Sequence, residues 1–177
     1  MLIGRFDYKI FVMPEKNTIE KARRDKREGK SASTQAGEFV KEEIDNIREG
    51  EHGARSAKQA IAIGLSKARR AGVKLKPPGR GKASAKTRKA AVQAYKRGQE
   101  HKPVSRTRSR AILKALKKES ATAASHAALS RQAASAARKR GASERSAAAR
   151  KAARTKGKRG RVAAAKKAAR TREKVHG

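Results

Sequence analysis

Residues 77–177 hold 27 Ala and 31 Lys or Arg, but only eight Val, Leu or Ile and no Phe, and this restricts the fold more than any other feature of the sequence. Such a segment buries too little apolar surface to offset the entropy lost on ordering. Two tendencies compete within it. Ala, Lys and Arg favour helix, whereas cations four residues apart repel and Gly141, Gly157 and Gly160 interrupt. The segment is expected to be largely disordered when free and to become helical once a polyanion neutralises it.

The charge follows the same division. The chain carries 49 Lys and Arg against 15 Asp and Glu, a formal +34. Residues 1–12 contribute +1, residues 13–76 set 16 basic against 10 acidic residues, and residues 77–177 set 31 against 4. A mixed-charge domain is therefore followed by a cationic arm, whose natural partner is a polyanion. With three Phe, two Tyr and no Trp, any core is small. The absence of cysteine excludes disulfides, thiolate zinc sites and cysteine nucleophiles. No apolar run reaches the length of a membrane span, and the arm lacks the aromatic and leucine anchors of a membrane-surface helix.

The clearest local signals lie in residues 55–75, RSAKQAIAIGLSKARRAGVKL. Ser56 and Gln59 form a capping box, and Gly72 followed by Val73 reads as a helix stop. Between them Ala57, Ala60, Ile61, Gly64, Leu65, Ala68 and Ala71 share one apolar stripe, with Lys58, Arg69 and Arg70 outside it. Ile63 points away, so it meets a second partner or water. Gly64 lets another backbone come close. Within this helix KQAIAIGLSKAR, residues 58–69, with the basic ending 71–76, resembles the signature of a family of short basic bacterial and phage proteins without an established function. FVKEEIDNIREG, residues 39–50, resembles that family's preceding helix. Lys67 departs from the acidic residue expected at its position, which makes this copy more basic and puts a salt bridge from there in question. The resemblance implies a bacterial or phage origin and brings no catalytic residue.

Upstream, residues 1–12 read as a strand or the start of a signal peptide. Arg5, Asp7 and Lys9 break the apolar stretch and argue against the signal, and Met13 before Pro14 looks like a second start. A first helix follows, with Asn17 and Glu20 as its cap and Gly29 as its stop, and only Ile19 and Ala22 to bury. Ser33 or Thr34 is expected to cap a second helix ending at Gly50. Its apolar face is Ala36, Phe39, Val40, Ile44 and Ile47, and its outer, solvent-facing side is Glu38, Glu42, Glu43, Asp45 and Glu49. An acidic helix between two basic ones predicts a three-helix module over residues 13–76. The alternative is an acidic face that covers the nucleic-acid surface until a polyanion displaces it. The connection over residues 50–56 is longer than a helix-turn-helix turn, and the third helix carries no base-reading set, so phosphates would be held without choice of sequence.

Residues 77–83 form a linker rich in proline and glycine, with a basic helical segment over 84–140 beyond it. Ser84 caps a helix bearing Ala91, Val92 and Tyr95 and stopping at Gly98. Ser105 caps another, after Pro103, bearing Ile112, Leu113 and Leu116, and the two are expected to form a loose hairpin. The tail over 141–177 contains a repeat, ARKAARTK at 149–156 and AKKAARTR at 165–172, with Gly157 and Gly160 as swivels. Its composition resembles the tails of linker histones and bacterial histone-like proteins, which implies nonspecific DNA compaction. KRGR, residues 158–161, resembles the core of a minor-groove hook but has Val162 where the hook's proline would stand, and a plain basic linker is the simpler reading. Ser105, Ser109, Ser120, Ser125, Ser130, Ser135, Ser143 and Ser146 are candidate phosphorylation sites.

Enzyme chemistry finds no support: His52, His101, His126 and His176 are scattered, and His52 reads as a solvated loop residue. No catalytic, metal-binding or cofactor-binding residue is assigned, and no small-molecule substrate is expected. The expected fold is all-α, a three-helix module with loosely packed helices and a helix-prone basic tail. The expected function is largely sequence-nonspecific, histone-like DNA binding in the cytoplasm, at the nucleoid. The alternatives are RNA or ribosome association, or a protein partner for residues 13–76. Oligomeric state is not fixed. The candidate phosphate-binding residues are Arg55, Lys58, Arg69, Arg70, Lys74, Lys76, Arg80 and Lys82, then Arg106, Arg108, Arg110, Arg138, Lys139 and Arg140. In the tail they are Arg150, Lys151, Arg154, Lys158, Arg159, Arg161, Lys166, Lys167, Arg170 and Arg172.

Overall fold

A computed structural model describes residues 14–100 and 105–176, and the expectations for residues 1–13, His101 and Pro103 lie outside that range. The described residues are helical, with no strand among them. In chain order the elements are α1 (Lys16–Arg27), α2 (Ala32–Arg48), α3 (Ala57–Arg70), α4 (Ala85–Gln99) and α5 (Arg106–Leu116), then a 3-10 turn (Ala121–Ala124), α6 (His126–Arg138) and α7 (Ala142–His176). The chain divides into a compact unit ending at Gln132 and a second unit from Ala133 onward.

Helix starts follow capping chemistry except where tertiary contacts override it. Ser56, Ser84 and Ser105 cap α3, α4 and α5 as the sequence predicts, each accepting the backbone N–H three residues on. In the box at α3, Gln59 Oε1 returns to the Arg55 N–H at 2.9 Å. α1 does not use Asn17: the Glu15 N–H donates to Glu42 Oε2 at 3.1 Å, and this long-range bond accompanies a start two residues earlier. α2 is capped by Ser31 rather than by Ser33 or Thr34. Its start is fixed by Gln35, whose side-chain amide donates to the Lys30 carbonyl at 2.9 Å.

α2 and α3 pack on each other at the centre, with α1 against α2, α4 against α3, and the 3-10 turn touching both central helices. One apolar cluster gathers Phe39, Ala36, Ala22, Ala68 and Val73, with Ile19 and Leu65 packed against it. The other gathers Ile44, Ile47, Ala54, Ala60, Ala123 and Ala124. Phe39 and Ile47 are fully buried, and each contributes about 2–3 kcal/mol by leaving water. Alanines supply most of the rest, which forces the helices close together. A Cβ on Gly64 would lie 2.7 Å from the Val40 Cα, and one on Gly98 would lie 1.9 Å from the Arg69 carbonyl oxygen. Gly98 is therefore not the expected helix stop. α4 continues through it to Gln99, and its missing side chain is what lets α4 reach α3.

The expected hairpin of α4 with α5 is also replaced, because α4 packs on α3. The end of α5 and the chain beyond it dock on the loop between α2 and α3. The Gly53 N–H donates to Leu116 O at 3.0 Å, the Ala54 N–H to Ser120 O at 3.1 Å, and Arg48 Nε to Ala124 O at 3.0 Å. Residues 116–124 thus satisfy a loop that would otherwise be unpaired.

In the second unit α7 is helical, the state expected of it once its charge is neutralised, and no buried side chain is found among its described residues. Of the two expected swivels only Gly157 leaves helical geometry (φ 62°, ψ 179°). Gly160 stays within the helix. The break separates the two copies of the repeat, one on each helical segment.

Candidate nucleic-acid interface

Charge is handled differently in different parts of the protein. Within the compact unit, Glu42 and Glu43 do not face solvent as the helix pattern suggests; Glu43 is completely buried. Lys67 Nζ, itself enclosed, sits 2.8 Å from Glu43 Oε2 and 3.2 Å from Glu42 Oε1. Lys67 is thus the centre of a buried ion cluster. His52 joins it. Rather than being a solvated loop residue it is 4% exposed, with Nε2 3.5 Å from Glu43 Oε1 and Nδ1 donating to Gly53 O at 3.1 Å. Glu43 lies four residues from both Phe39 and Ile47, on the apolar stripe itself, and Lys67 lies three from Gly64. Two opposite charges on facing stripes were the available signal, and it was not read.

Asp45 of α2 is paired locally, holding Lys41 at 2.6 Å and Arg48 at 3.9 Å. Asp45 raises the Lys41 pKa, mainly through that hydrogen bond. With Glu42 and Glu43 turned inward and Asp45 engaged, α2 has no continuous acidic face to cover a nucleic-acid surface.

The sequence-predicted cations separate into two groups. Eighteen of the twenty whose side-chain exposure is described are exposed: Arg55, Lys58, Lys74, Lys76, Arg80, Lys82, Arg108, Arg110, Arg138, Lys139, Arg140, Arg150, Lys151, Arg154, Arg161, Lys166, Arg170 and Arg172. The side chains of Arg106, Lys158, Arg159 and Lys167 lie outside the described set. Arg69 is a correction. It is 7% exposed, its Nε donates to Leu75 O at 3.2 Å and its Nη1 to Leu65 O at 3.4 Å, so it ties down the chain leaving α3. Arg70 is half-buried, donating to Ser66 O at 3.2 Å. Burial lowers the pKa of both, and for Arg70 the Glu43 charge partly opposes that effect. Both remain cations, but the Arg69 charge serves the fold. Ser109 leaves the phosphorylation set for the same reason, since it is buried and donates to Ser105 O at 2.8 Å.

The densest exposed charge is on α7. Between Glu144 and Glu173 it carries twelve Lys or Arg and no acid. Its basic and alanine positions are not sorted onto separate faces, so cations project all round it. Arg161 bridges the Gly157 break by donating from Nη1 to Ala153 O at 3.4 Å. Such a rod can meet phosphates from any side but offers no ordered set of base-reading groups.

Among the described residues no group of three His, Cys, Asp or Glu side chains is placed to hold a metal, and no helix is long and apolar enough to cross a membrane. Comparison with family models, with curated proteins and with solved structures finds no match to this chain.

Proposed function

We propose that the protein is a non-enzymatic, largely sequence-nonspecific DNA-binding protein that acts by neutralising phosphates, as histone-like proteins of the nucleoid do. One observation supports this reading above all: between Glu144 and Glu173 α7 carries twelve Lys or Arg and no acid, and the eight of them whose exposure is described are all exposed. Polyphosphate is the partner such a surface attracts, because each neutralised phosphate releases condensed counterions. If about 10 cations meet duplex phosphates, log affinity falls with log salt with a slope of roughly −9. Fluorescence anisotropy with duplexes of unrelated sequence measures this. A shallow slope, or a strong preference for one sequence, would sink the reading. Crosslinking in the native cells, with the attached DNA and RNA sequenced together, then separates the targets: broad chromosomal coverage supports DNA, and predominant ribosomal or transfer RNA moves the target to RNA.

A second reading, a protein-docking role for the compact unit, is favoured by one feature. A groove of about 680 Å³ between α3, α4, α5 and the chain after α3 is lined by Ile63, Leu65, Leu75, Pro78, Ala91 and Ile112. Ile63, which points away from the main stripe, finds its second neighbours here. Retention of a cellular partner by a chain truncated after residue 141 would favour this role over the arm.

A further inference from the structure

We infer that the compact unit holds a phosphate-group site of its own, in the pocket formed where α3, the 3-10 turn and α6 begin. The pocket has a volume of about 420 Å³, and no Asp or Glu lines it. Three cations from separate parts of the chain converge there: Arg55 before α3, Lys58 in its first turn and Arg131 on α6. Lys58 and Arg131 are exposed and make no ion pair among the described residues. Arg55 has one distant carboxylate, Glu119 Oε1 at 3.8 Å. These three cations share one concave pocket, with no carboxylate in its lining. Arg131 was missed in the sequence because it lies among alanines, 73 residues beyond Lys58.

The neutral lining points to an anion as well. Ser56 Oγ accepts the Gln59 N–H at 3.2 Å, Ser125 Oγ accepts the Ala128 N–H at 3.2 Å, and Thr122 Oγ1 accepts the Ser120 hydroxyl at 3.0 Å. Each hydroxyl oxygen is already an acceptor, so its own proton is left to donate. The first-turn N–H groups that these caps occupy contribute nothing, and attraction therefore comes from the cationic and hydroxyl side chains. Buried Ala57 and Ala123 form part of the wall, with methyl groups that leave room for a ligand. The turn is fastened from behind by Arg48 to Ala124 O and by Ala54 to Ser120 O, so the donors are preorganised. Tetrahedral phosphate takes several charge-assisted bonds at once, which is what this set offers.

The site deepens the nucleic-acid reading and depends on it only for the source of the phosphate: a backbone phosphodiester, or a free phosphate. The test uses the full ¹⁵N-labelled chain, titrated with inorganic phosphate at constant ionic strength while backbone amide shifts are followed. Amides of Lys58, Thr122 and Arg131 are expected to move together and saturate with a dissociation constant of order ~1 mM, while those of residues 150 and 151 do not saturate. Lys58→Gln with Arg131→Gln is expected to weaken binding by about tenfold, and Arg150→Gln with Lys151→Gln to leave it unchanged. Ala128→Glu, on the half-exposed wall of the pocket, is expected to abolish binding by supplying a carboxylate in the anion's place. Linear shifts spread over all exposed cations, or full binding by Ala128→Glu, would overturn the site. The same samples are then titrated with duplex. Saturable phosphate binding without duplex binding removes the nucleic-acid reading and leaves a free-phosphate site, whereas duplex binding by a chain whose pocket amides respond neither to phosphate nor to duplex overturns the pocket alone.

Discussion

The compact unit through residue 132 and the helical arm over residues 142–176 are both basic and both rich in alanine, yet they use these residues in opposite ways. In the compact unit alanine and glycine bring helices into contact, and at the centre Lys67 is buried against Glu42 and Glu43. In the arm no described alanine is buried, and acids appear only near the ends, at Glu144 and Glu173. Basic composition alone therefore does not make a binding surface. A cation is available to a polyanion only where the fold has not already given it a carboxylate or a carbonyl.

The largest effect should come from removing the arm. A chain ending at residue 141 is expected to lose at least about 100-fold in duplex affinity at low salt and most of its salt slope, while its thermal melting stays unchanged. Unchanged binding would mean that the compact unit is the main surface and would erase the contrast. Circular dichroism supplies the reciprocal check. The full chain should gain helicity on adding duplex and the truncated chain should not, since free cations within α7 repel and bound ones do not.

The next largest effect lies at the buried cluster. Lys67→Ala leaves Glu42 and Glu43 without their cation and is expected to cost about 3–5 kcal/mol, read as a large drop in the denaturation midpoint. Lys67→Met combined with Glu43→Leu should cost much less, because apolar groups of similar volume replace the charges together. Equal losses in both variants would show that packing, not charge pairing, dominates there.

Glycine substitutions compare the two regions directly. Gly98→Ala drives a methyl group into the Arg69 carbonyl and is expected to destabilise the compact unit by about 1–3 kcal/mol. At Gly157 an added Cβ meets nothing within 4 Å, so Gly157→Ala should leave the melting of the compact unit unchanged. It should also raise the far-UV helical signal of the arm, because the left-handed break disfavours alanine. The smallest effect concerns the turn after α1. The Lys30 pKa is raised above its ordinary 10.5, first by its hydrogen bond to Asp25 and then by that to Glu28. This contribution is fully present below that ordinary value and is lost as pH rises through the elevated one. The melting difference between the native chain and Lys30→Gln should therefore be constant near neutral pH and disappear in strong alkali.

The all-α class, the serine caps of α3, α4 and α5, and the two-part distribution of charge follow from the sequence by itself. Caps and stripes are local: a hydroxyl three residues from a backbone N–H, or apolar residues at helical spacing, fix an element without reference to anything distant. The candidate binding surface was legible for most of its cations because an arm with so few apolar residues has nowhere to hide charge. Tertiary structure alone decided which ionic groups went inside. Glu43 and Lys67 are tolerable in the interior only because each faces the other, and Arg69 leaves the surface because the carbonyls of Leu65 and Leu75 are placed around it. The conversion of Gly98 from a helix stop into a contact, and the meeting of Arg131 with Lys58, were decided in the same way. A charge is buried or exposed according to the energy of its nearest partners. When those partners lie tens of residues away, only the folded chain brings them within reach.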